Sequence, residues 1–147
     1  MAVSETDLKE LVGHAFPGGR YQIAHWENYL LTEAAGREPM PDGLAHPCHL
    51  FHVPIIGAGT SIAELFELGR AESDASITID YYDWEYIRPL REAVEYEGRG
   101  SITEHERTHP GDGPIVDALG FLFELCEPGG ELAARVRFRW YYWRWNP

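Results

Sequence analysis

The sequence predicts a single domain of the α+β class, and three observations lead to that prediction. The chain has 147 residues and is 44% hydrophobic, which suits one domain with its own core. Apolar residues recur at helical spacing as far as Arg70. From there to the C-terminus they alternate at a period of two, as they do in half-buried strands. Helices from the first half are therefore expected to pack on a sheet built by the second half.

The N-terminal segment predicts a short helix followed by a turn. Residues 6–11 have helical character, with Thr6 as a candidate cap. The prolines and glycines between Phe16 and Gly19 end the helix in a turn. Residues 1–19 are therefore expected to form a short N-terminal helix and turn within the one domain, 1–147.

A second helix is predicted after a short strand at 20–23. Residues 24–35 are rich in helix formers, and Gly36 is a plausible stop. Large side chains recur along this segment at helical spacing, as in an amphipathic helix: Trp26, Tyr29, Leu30 and Glu33.

The segment 48–70 predicts a long helix buried against the sheet. Large apolar residues recur along it at helical spacing, and Pro54 fits best in its first turn. Its middle carries almost no side chain, because it contains Gly57, Ala58, Gly59 and Ala63. Such small residues allow the backbone of one element to approach another closely.

Four strands are predicted in the second half, at 76–84, 94–105, 115–125 and 132–145. Turn residues at 107–114 and 126–130 join the last three as hairpins, which gives an antiparallel meander. The last strand alternates most plainly, with one apolar face and one arginine-bearing face: Val136, Phe138, Trp140 and Tyr142 against Arg135, Arg137, Arg139 and Tyr141.

Two segments resemble a known family. LAHPCHLFHVPIIGAGTSIAELFELG (44–69) is similar to the proline-containing loop and central helix of MaoC-like, FAS1-type dehydratase domains, and YYDWEYIRPLRE (81–92) is similar to the strand that follows. The resemblance spans roughly residues 20–145. It implies the hot-dog fold of the acyl-thioester superfamily, in which an antiparallel sheet wraps a long central helix. It also implies hydration of enoyl thioesters or dehydration of 3-hydroxyacyl thioesters, carried by coenzyme A or by an acyl carrier protein, without a cofactor beyond coenzyme A as part of the substrate.

The acid-base motif of that family is degenerate in this chain. The family places an Asp and a His five residues apart in a Gly-Asp-x-Asn-Pro-x-His loop, which would begin here at Gly36. Arg37 follows Gly36, and Asp42 occupies the place of the histidine. Activity as an enzyme is therefore open: a partner chain of similar fold supplies the catalytic residues, or this chain has rebuilt its site. A third possibility is a hot-dog thioesterase in which Asp42, Glu33 or a histidine activates water.

His46, His49 and Asp42 are the catalytic candidates, because they lie at the loop-to-helix junction where a hot-dog site is expected. Imidazole is the usual acid-base group near neutral pH. His46, His49 and His52 match no established zinc spacing, so no metal is predicted. His49 or His52 can equally be a hydrogen-bonded histidine packed against the sheet. His105 and His109 flank a hairpin and are expected to face water.

Four residues are assigned to substrate binding: Gly57, Gly59, Arg88 and Arg137. The glycines would let a thioester approach the backbone, although helix-to-sheet packing explains them equally well. The arginines of the last strand have two interpretations. They pair with acidic neighbours in the fold or across a dimer, or they bind the phosphates of a carrier such as coenzyme A.

Composition excludes some partners and favours others. The formal net charge of −12 disfavours nucleic acid, because phosphate binding needs a basic surface. The first residues are charged and no apolar run reaches the roughly 18 residues of a membrane span, so a cytoplasmic protein is expected. Cys48 and Cys126 form no CxxC motif, which fits a reducing compartment. The aromatic C-terminal stretch predicts an interface, in a homodimer or in a heteromer with a second hot-dog chain.

Overall fold

The computed structural model describes residues 2–146, which form five strands and four short helices. The strands are β1 (Gly19–Gln22), β2 (Ile77–Tyr86), β3 (Glu95–Thr108), β4 (Ile115–Cys126) and β5 (Leu132–Arg144). The helices are α1 (Glu5–Lys9), α2 (His25–Ala34), α3 (Val53–Gly57) and α4 (Ile62–Leu68). None of the helices in this part of the chain is long and apolar enough to cross a membrane.

All five strands belong to one antiparallel sheet in the order β1-β3-β4-β5-β2. β3, β4 and β5 form the predicted meander of two hairpins. β2 does not pair with β3, its successor in the chain, but with β5 at the far edge of the sheet. Strands that are neighbours in sequence are therefore separated in space, and periodicity carries no information about that separation.

The prediction of one long central helix is wrong, although the small middle was identified correctly. The segment consists of a 3₁₀ turn at Pro47–Phe51, then α3, then α4. Gly59 adopts a φ of +81°, which no α-helix contains, and Ser61 starts α4 anew by accepting a hydrogen bond from the Glu64 N–H at 3.1 Å. Pro54 does lie in the first turn of α3, as predicted.

Glycines bring α3 against the sheet backbone to backbone. A Cβ atom added to Gly98 of β3 would lie 2.2 Å from the carbonyl carbon of Gly57. A Cβ atom on Gly59 would lie 2.7 Å from the carbonyl oxygen of Gly18. Neither distance is compatible with a real side chain, so the predicted close approach is confirmed. The partner glycines that make it possible lie on β3 and just before β1.

The core lies between the inner face of the sheet and the helices. Alternate residues of β4 and β5 supply most of it: Leu119, Phe121, Phe123, Leu125, Val136, Phe138, Trp140 and Tyr142. Three register shifts interrupt the alternation: in β3 between Ile102 and Glu104, in β2 between Ile79 and Tyr81, and between β4 and β5 at Leu125 and Cys126. Each shift adds one residue to a strand, so the positions that face inward change beyond it.

The inner face ends in a buried ionic cluster around Asp117. Its carboxylate accepts hydrogen bonds from His105 at 2.9 Å, from Arg107 at 2.8 and 3.0 Å, and from Arg144 at 2.9 Å. The expectation that His105 faces water is wrong, because the β3 bulge turns His105 and Arg107 inward. His109, beyond the strand, is exposed as expected.

The outer face of the sheet carries pairs of opposite charge. Arg135 binds Glu124 and Glu85, each at 3.0 Å, and Arg139 binds Glu106 at 2.9 Å. The interpretation of the C-terminal arginines as partners of acidic neighbours is confirmed for these two residues. Such cross-strand pairs help to fix strand register on an exposed face.

Helix α2 exposes its apolar side chains and buries polar ones. Trp26 is 67% exposed and Leu30 is 56% exposed, whereas Asn28 is 3% and Thr32 is 2% exposed. The helix was predicted correctly, but the side that faces the domain is its polar side. The reason is that the neighbouring loop offers backbone and histidine groups that need hydrogen-bond partners.

Candidate functional site

The sequence-predicted histidines meet at one buried residue, Asn28. Its Oδ1 accepts from the His46 N–H at 2.9 Å and lies 3.2 Å from Nε2 of His49. Its Nδ2 donates to the Leu44 carbonyl at 3.0 Å and to Glu92 at 2.7 Å. A backbone N–H can only donate and a carbonyl can only accept, so the orientation of the amide is fixed. Asn28 thus attaches α2 to the loop that carries both histidines.

The tautomer of His49 follows from that contact. Oδ1 of Asn28 is an acceptor, so Nε2 of His49 must carry a proton. Its Nδ1 is buried and has no partner among residues 2–146. Burial lowers the pKa of His49, and His52, whose ring centroid is 5.5 Å away, lowers it further. His49 is therefore a neutral, hydrogen-bonded histidine at neutral pH, and its side chain is shut off from solvent.

His46 is half-buried and its neutral form also carries the proton on Nε2. Its Nδ1 accepts from the Cys48 N–H at 3.0 Å and thereby caps the 3₁₀ turn at Pro47–Phe51. Because a backbone N–H cannot accept, Nδ1 is unprotonated in this arrangement. His46 lines a cavity of about 270 Å³, together with Thr32, Arg37, Glu38, Met40 and Pro47. It can offer an N–H donor to a molecule in that cavity.

A second, mostly apolar cavity of about 300 Å³ adjoins the first. Met40 and Pro47 line both cavities, so we treat the two as one groove, the loop groove. Its apolar part lies between the 40–47 loop and the connection from β2 to β3, and is lined by Met40, Leu44, Ala45, Pro47, Tyr86, Ile87, Arg88, Pro89 and Leu90.

Asp42 does not join the histidines. It has a φ of 61° in the turn at Pro41–Gly43, and its side chain is exposed. Its backbone carbonyl accepts from Arg91 at 2.9 Å. Among residues 2–146, its carboxylate makes no hydrogen bond to an imidazole. Within residues 2–146, Asp42 therefore does not form a carboxylate–imidazole pair with His46 or His49.

The two arginines assigned to binding have different surroundings. Arg88 lines the loop groove, but Glu127 holds its guanidinium at 3.0 Å and Glu131 contacts it as well. Arg137 is exposed on the outer face of β5 and forms no ion pair within the described residues. The charge of Arg88 is therefore balanced inside the fold, whereas that of Arg137 is available to a ligand or a partner. Their role in substrate binding stays a prediction.

The two glycines assigned to binding lie at the contact between α3 and the sheet. A Cβ atom on Gly57 would be 3.4 Å from the Leu125 side chain and 3.5 Å from that of Tyr21. Packing thus accounts for Gly57, and the close approach of Gly59 to the Gly18 carbonyl, with its positive φ, accounts for Gly59. Backbone contact of either glycine with a thioester stays a prediction.

The free edge of β2 carries an exposed apolar surface. β2 pairs with β5 on one side only, and its other edge has no strand beside it in residues 2–146. Trp84 and Ile79 are exposed at this edge, and Phe51 packs on Tyr82 with ring centroids 5.3 Å apart. We call Phe51, Ile79 and Trp84 the edge surface. The edge surface continues the core, because the neighbouring Tyr82 stacks on the core residue Phe138 with ring centroids 4.9 Å apart.

Sequence reasoning missed Asn28 and Glu92. Glu92 precedes β3, accepts from Asn28, and lies 3.0 Å from His25. Hydrogen bonds from Asn28 and His25 lower the pKa of Glu92. The available signal was the pair Asn28 and Thr32, one helical turn apart on the side of α2 opposite Trp26 and Leu30. Within residues 2–146, no three His, Cys, Asp or Glu side chains converge as metal ligands.

An antiparallel sheet that packs on a short helix is the arrangement of a hot-dog domain, and comparison with solved structures agrees. No protein-family model and no curated protein sequence matches the chain. One similar structure is the ChsH1–ChsH2 complex of Mycobacterium tuberculosis, with a TM-score of 0.70, 11% identity, and coverage of 98% of this chain and 95% of that chain.

Two further similar structures support the same fold. The HadBC complex of Mycobacterium tuberculosis, a 3R-hydroxyacyl-ACP dehydratase, has a TM-score of 0.65 at 12% identity and covers 89% of this chain and 96% of its own. The MaoC-like dehydratase of Rhodospirillum rubrum has a TM-score of 0.60 at 14% identity, with coverage of 97% and 98%. The predicted hot-dog fold is confirmed, and at these identities the likeness concerns the fold alone.

Proposed function

We propose that this chain is a hot-dog subunit that binds an acyl thioester of the coenzyme A type and takes part in its hydration or dehydration together with a second hot-dog chain. The similar structures support the class, since they include a dehydratase complex, a MaoC-like dehydratase and a thioesterase complexed with coenzyme A. Hydration adds the oxygen of water to the β carbon of an enoyl thioester and a proton to the α carbon. Dehydration reverses both steps.

The observation that carries this proposal is the uncovered edge surface beside the free edge of β2. An unpaired strand edge offers a row of backbone donors and acceptors to another strand. Exposed Ile79 and Trp84 add apolar area that water solvates poorly. A second chain with the same fold can satisfy both features at once. Two of the similar structures are complexes of two different chains by their names, ChsH1–ChsH2 and HadBC.

The chemistry divides between the two chains in this proposal. Hydration needs an acid-base pair and a donor that polarises the thioester carbonyl. Nε2 of His46 supplies a neutral N–H donor from this chain. Asp42 is exposed and makes no hydrogen bond to either imidazole within residues 2–146, which argues for a carboxylate contributed by the second chain. His49 acts through Asn28 as support for the loop.

A second candidate function follows from the burial of His49 and the isolation of Asp42. In that case the chain contributes no catalytic group, and it only accommodates the acyl part of a substrate processed by its partner. The two candidate functions differ in the role that they assign to His46. His46→Ala would lower turnover of the assembled protein at least tenfold if His46 polarises the carbonyl, and would leave it unchanged if the chain only accommodates the substrate.

The test combines assembly, binding and turnover. Light scattering after size exclusion measures the mass of the assembled protein. Trp84→Glu is expected to prevent association with a second hot-dog chain, because it places a charge in the edge surface. Tyr81→Glu is the matched control, because Tyr81 is equally exposed on β2 but lies beyond the bulge on the opposite face. Calorimetry then measures binding of trans-2-enoyl-CoA, and absorbance of the conjugated thioester follows hydration.

The outcomes separate the alternatives. Binding of the enoyl-CoA with weak or no turnover by the chain alone is expected, because the carboxylate comes from the partner. Release of free coenzyme A from saturated acyl-CoA would point to a thioesterase instead. The proposal would be overturned if the chain bound no acyl-CoA and if Trp84→Glu left the measured mass of the protein unchanged.

A further inference from the structure

We infer that the loop groove holds the acyl chain of the ligand, and that it selects short to medium linear chains whose carbonyl oxygen lies at His46. This inference rests on the proposed function for the identity of the ligand as a thioester. The groove itself, however, is defined by residues that can be tested separately. Its apolar part and its polar part adjoin at Met40 and Pro47. An acyl ligand has the same order of groups, with an apolar tail next to a polar carbonyl.

The lining of the inner part fits a hydrocarbon rather than an anion. Arg88 is its one formally charged lining residue, and Glu127 and Glu131 already hold that guanidinium. A phosphate here would have to compete with two carboxylates. The remaining lining is supplied by aliphatic side chains, two prolines and the ring of Tyr86, whose hydroxyl is already bonded to the Pro47 carbonyl. An apolar tail leaves no polar group unsatisfied at these walls.

The walls of the groove are preformed. The Ala45 N–H donates to the Leu90 carbonyl at 2.8 Å, and Leu44 forms a β-bridge with Arg91. Tyr86 ties the end of β2 to the 40–47 loop through Pro47. Pro47 and Pro89 further restrict the two backbones that face each other. Because both walls are held by contacts within the fold, little conformational entropy is lost when a chain enters.

At the polar end, His46 offers an N–H donor beside the side chains of Thr32 and Arg37. Nδ1 of His46 is occupied by the Cys48 N–H, so the neutral imidazole has its N–H at Nε2. Protonation or a change of tautomer would break that cap. His46 is therefore held as a hydrogen-bond donor, which suits a carbonyl oxygen, and not as a base. Asn28 keeps the backbone of His46 in place through its bond to the His46 N–H at 2.9 Å.

The size of the groove sets the selectivity. The apolar cavity measures about 300 Å³, at the lower end of the range of roughly 300–1,000 Å³ for small-molecule sites. A linear chain of a few carbons fits between its walls. Each methylene that enters should raise the affinity about fourfold until the cavity is full.

Calorimetry with coenzyme A, acetyl-CoA, butyryl-CoA and octanoyl-CoA tests the inference. We expect octanoyl-CoA to bind at least tenfold more tightly than acetyl-CoA, and Met40→Trp to remove that gain. Ile87→Trp, which fills the groove from the opposite wall, should have the same effect. Leu30→Trp is the control, because Leu30 is exposed on α2 and does not line the groove. Thermal melts establish that each variant is folded.

Free octanoate distinguishes failure of this inference from failure of the proposed function. Affinities that do not depend on chain length and are unchanged by both tryptophans would overturn the groove while acyl-CoA binding stands. Binding of octanoate that both tryptophans abolish, without binding of any acyl-CoA, would support the groove and overturn the thioester function. Absence of binding by every probe would overturn both.

Discussion

Asp117 and Arg144 form a buried ion pair in which Nε of the arginine lies 2.9 Å from the carboxylate and neither side chain is reached by more than a trace of solvent. Arg144 also donates to the backbone carbonyls of Gly69 and Arg70, at 2.6 and 2.5 Å. The end of β5 is thereby attached to the connection that follows α4. Burial by itself would raise the pKa of Asp117, but hydrogen bonds from Arg107, His105 and Arg144 outweigh it, and the pKa is lowered.

Asp117→Asn is expected to lower the free energy of unfolding by about 3–5 kcal/mol. The amide nearly preserves the shape but leaves Arg107 and Arg144 as uncompensated buried charges, and loss of one partner from a buried ion pair costs that much. Urea denaturation measures the effect. Asp83→Asn, on the exposed side of β2, is the control and should change the stability by less than about 0.5 kcal/mol. An equally small effect at Asp117 would contradict the role of the cluster.

Gly98→Ala is expected to destabilise the domain by roughly 1–3 kcal/mol or more, because its Cβ atom would overlap the backbone of Gly57. Backbone atoms cannot move aside as a flexible side chain can, so α3 has to shift away from the sheet. Gly129→Ala is the matched control, since a Cβ atom there meets nothing within 4 Å and the residue does not need a positive φ. Thermal unfolding compares the two. Equal melting temperatures would mean that α3 does not lie against β3 as described.

Asn28→Leu is expected to cost roughly 1–3 kcal/mol, because the His46 N–H and His49 Nε2–H lose their common acceptor inside the protein. The specific readout is the imidazole proton of His49, which exchanges slowly when its acceptor is present. It should be visible by NMR in the wild type and lost in Asn28→Leu. Glu33→Leu, on the exposed side of the same helix, should preserve the signal. Its persistence in Asn28→Leu would refute the assigned tautomer.

Stability should fall as the pH decreases below 6.5, and His49 and His52 should contribute to the loss. Burial lowers the pKa of both below the ordinary value of 6.5; the neighbouring Glu27 opposes this shift at both sites. The unfolded chain therefore binds more protons than the folded chain once the pH drops below 6.5. Their contribution to stability is complete above that pH and is lost below it.

Double replacement by His49→Gln and His52→Gln should make the pH dependence of the unfolding free energy shallower below pH 6.5. His109→Gln, at an exposed position, should leave it unchanged. A profile identical in all three proteins would show that other groups govern the acid limb. Glu92, whose pKa is lowered in the folded state, loses its contribution only at lower pH, as it becomes protonated.

Helix α2 illustrates where prediction from sequence stops. Its helix formers and its stop at Gly36 are local properties, so the element was found within one residue at each end. Which side faces inward is not local. Asn28 is buried because the 44–49 loop and Glu92 supply partners from distant parts of the chain. Without those partners, an asparagine on a helix is expected to face water.

The sequence by itself determined the class of the fold, the meander of β3, β4 and β5, and the close packing of α3, because periodicity and residue size act over a few neighbouring positions. Only the tertiary structure decided that β2 lies beside β5, that His105 is buried, and that Asn28 joins His46 to His49. These features depend on contacts between residues far apart in the chain and on a one-residue bulge that reverses which side chains face the core. No local pattern encodes them.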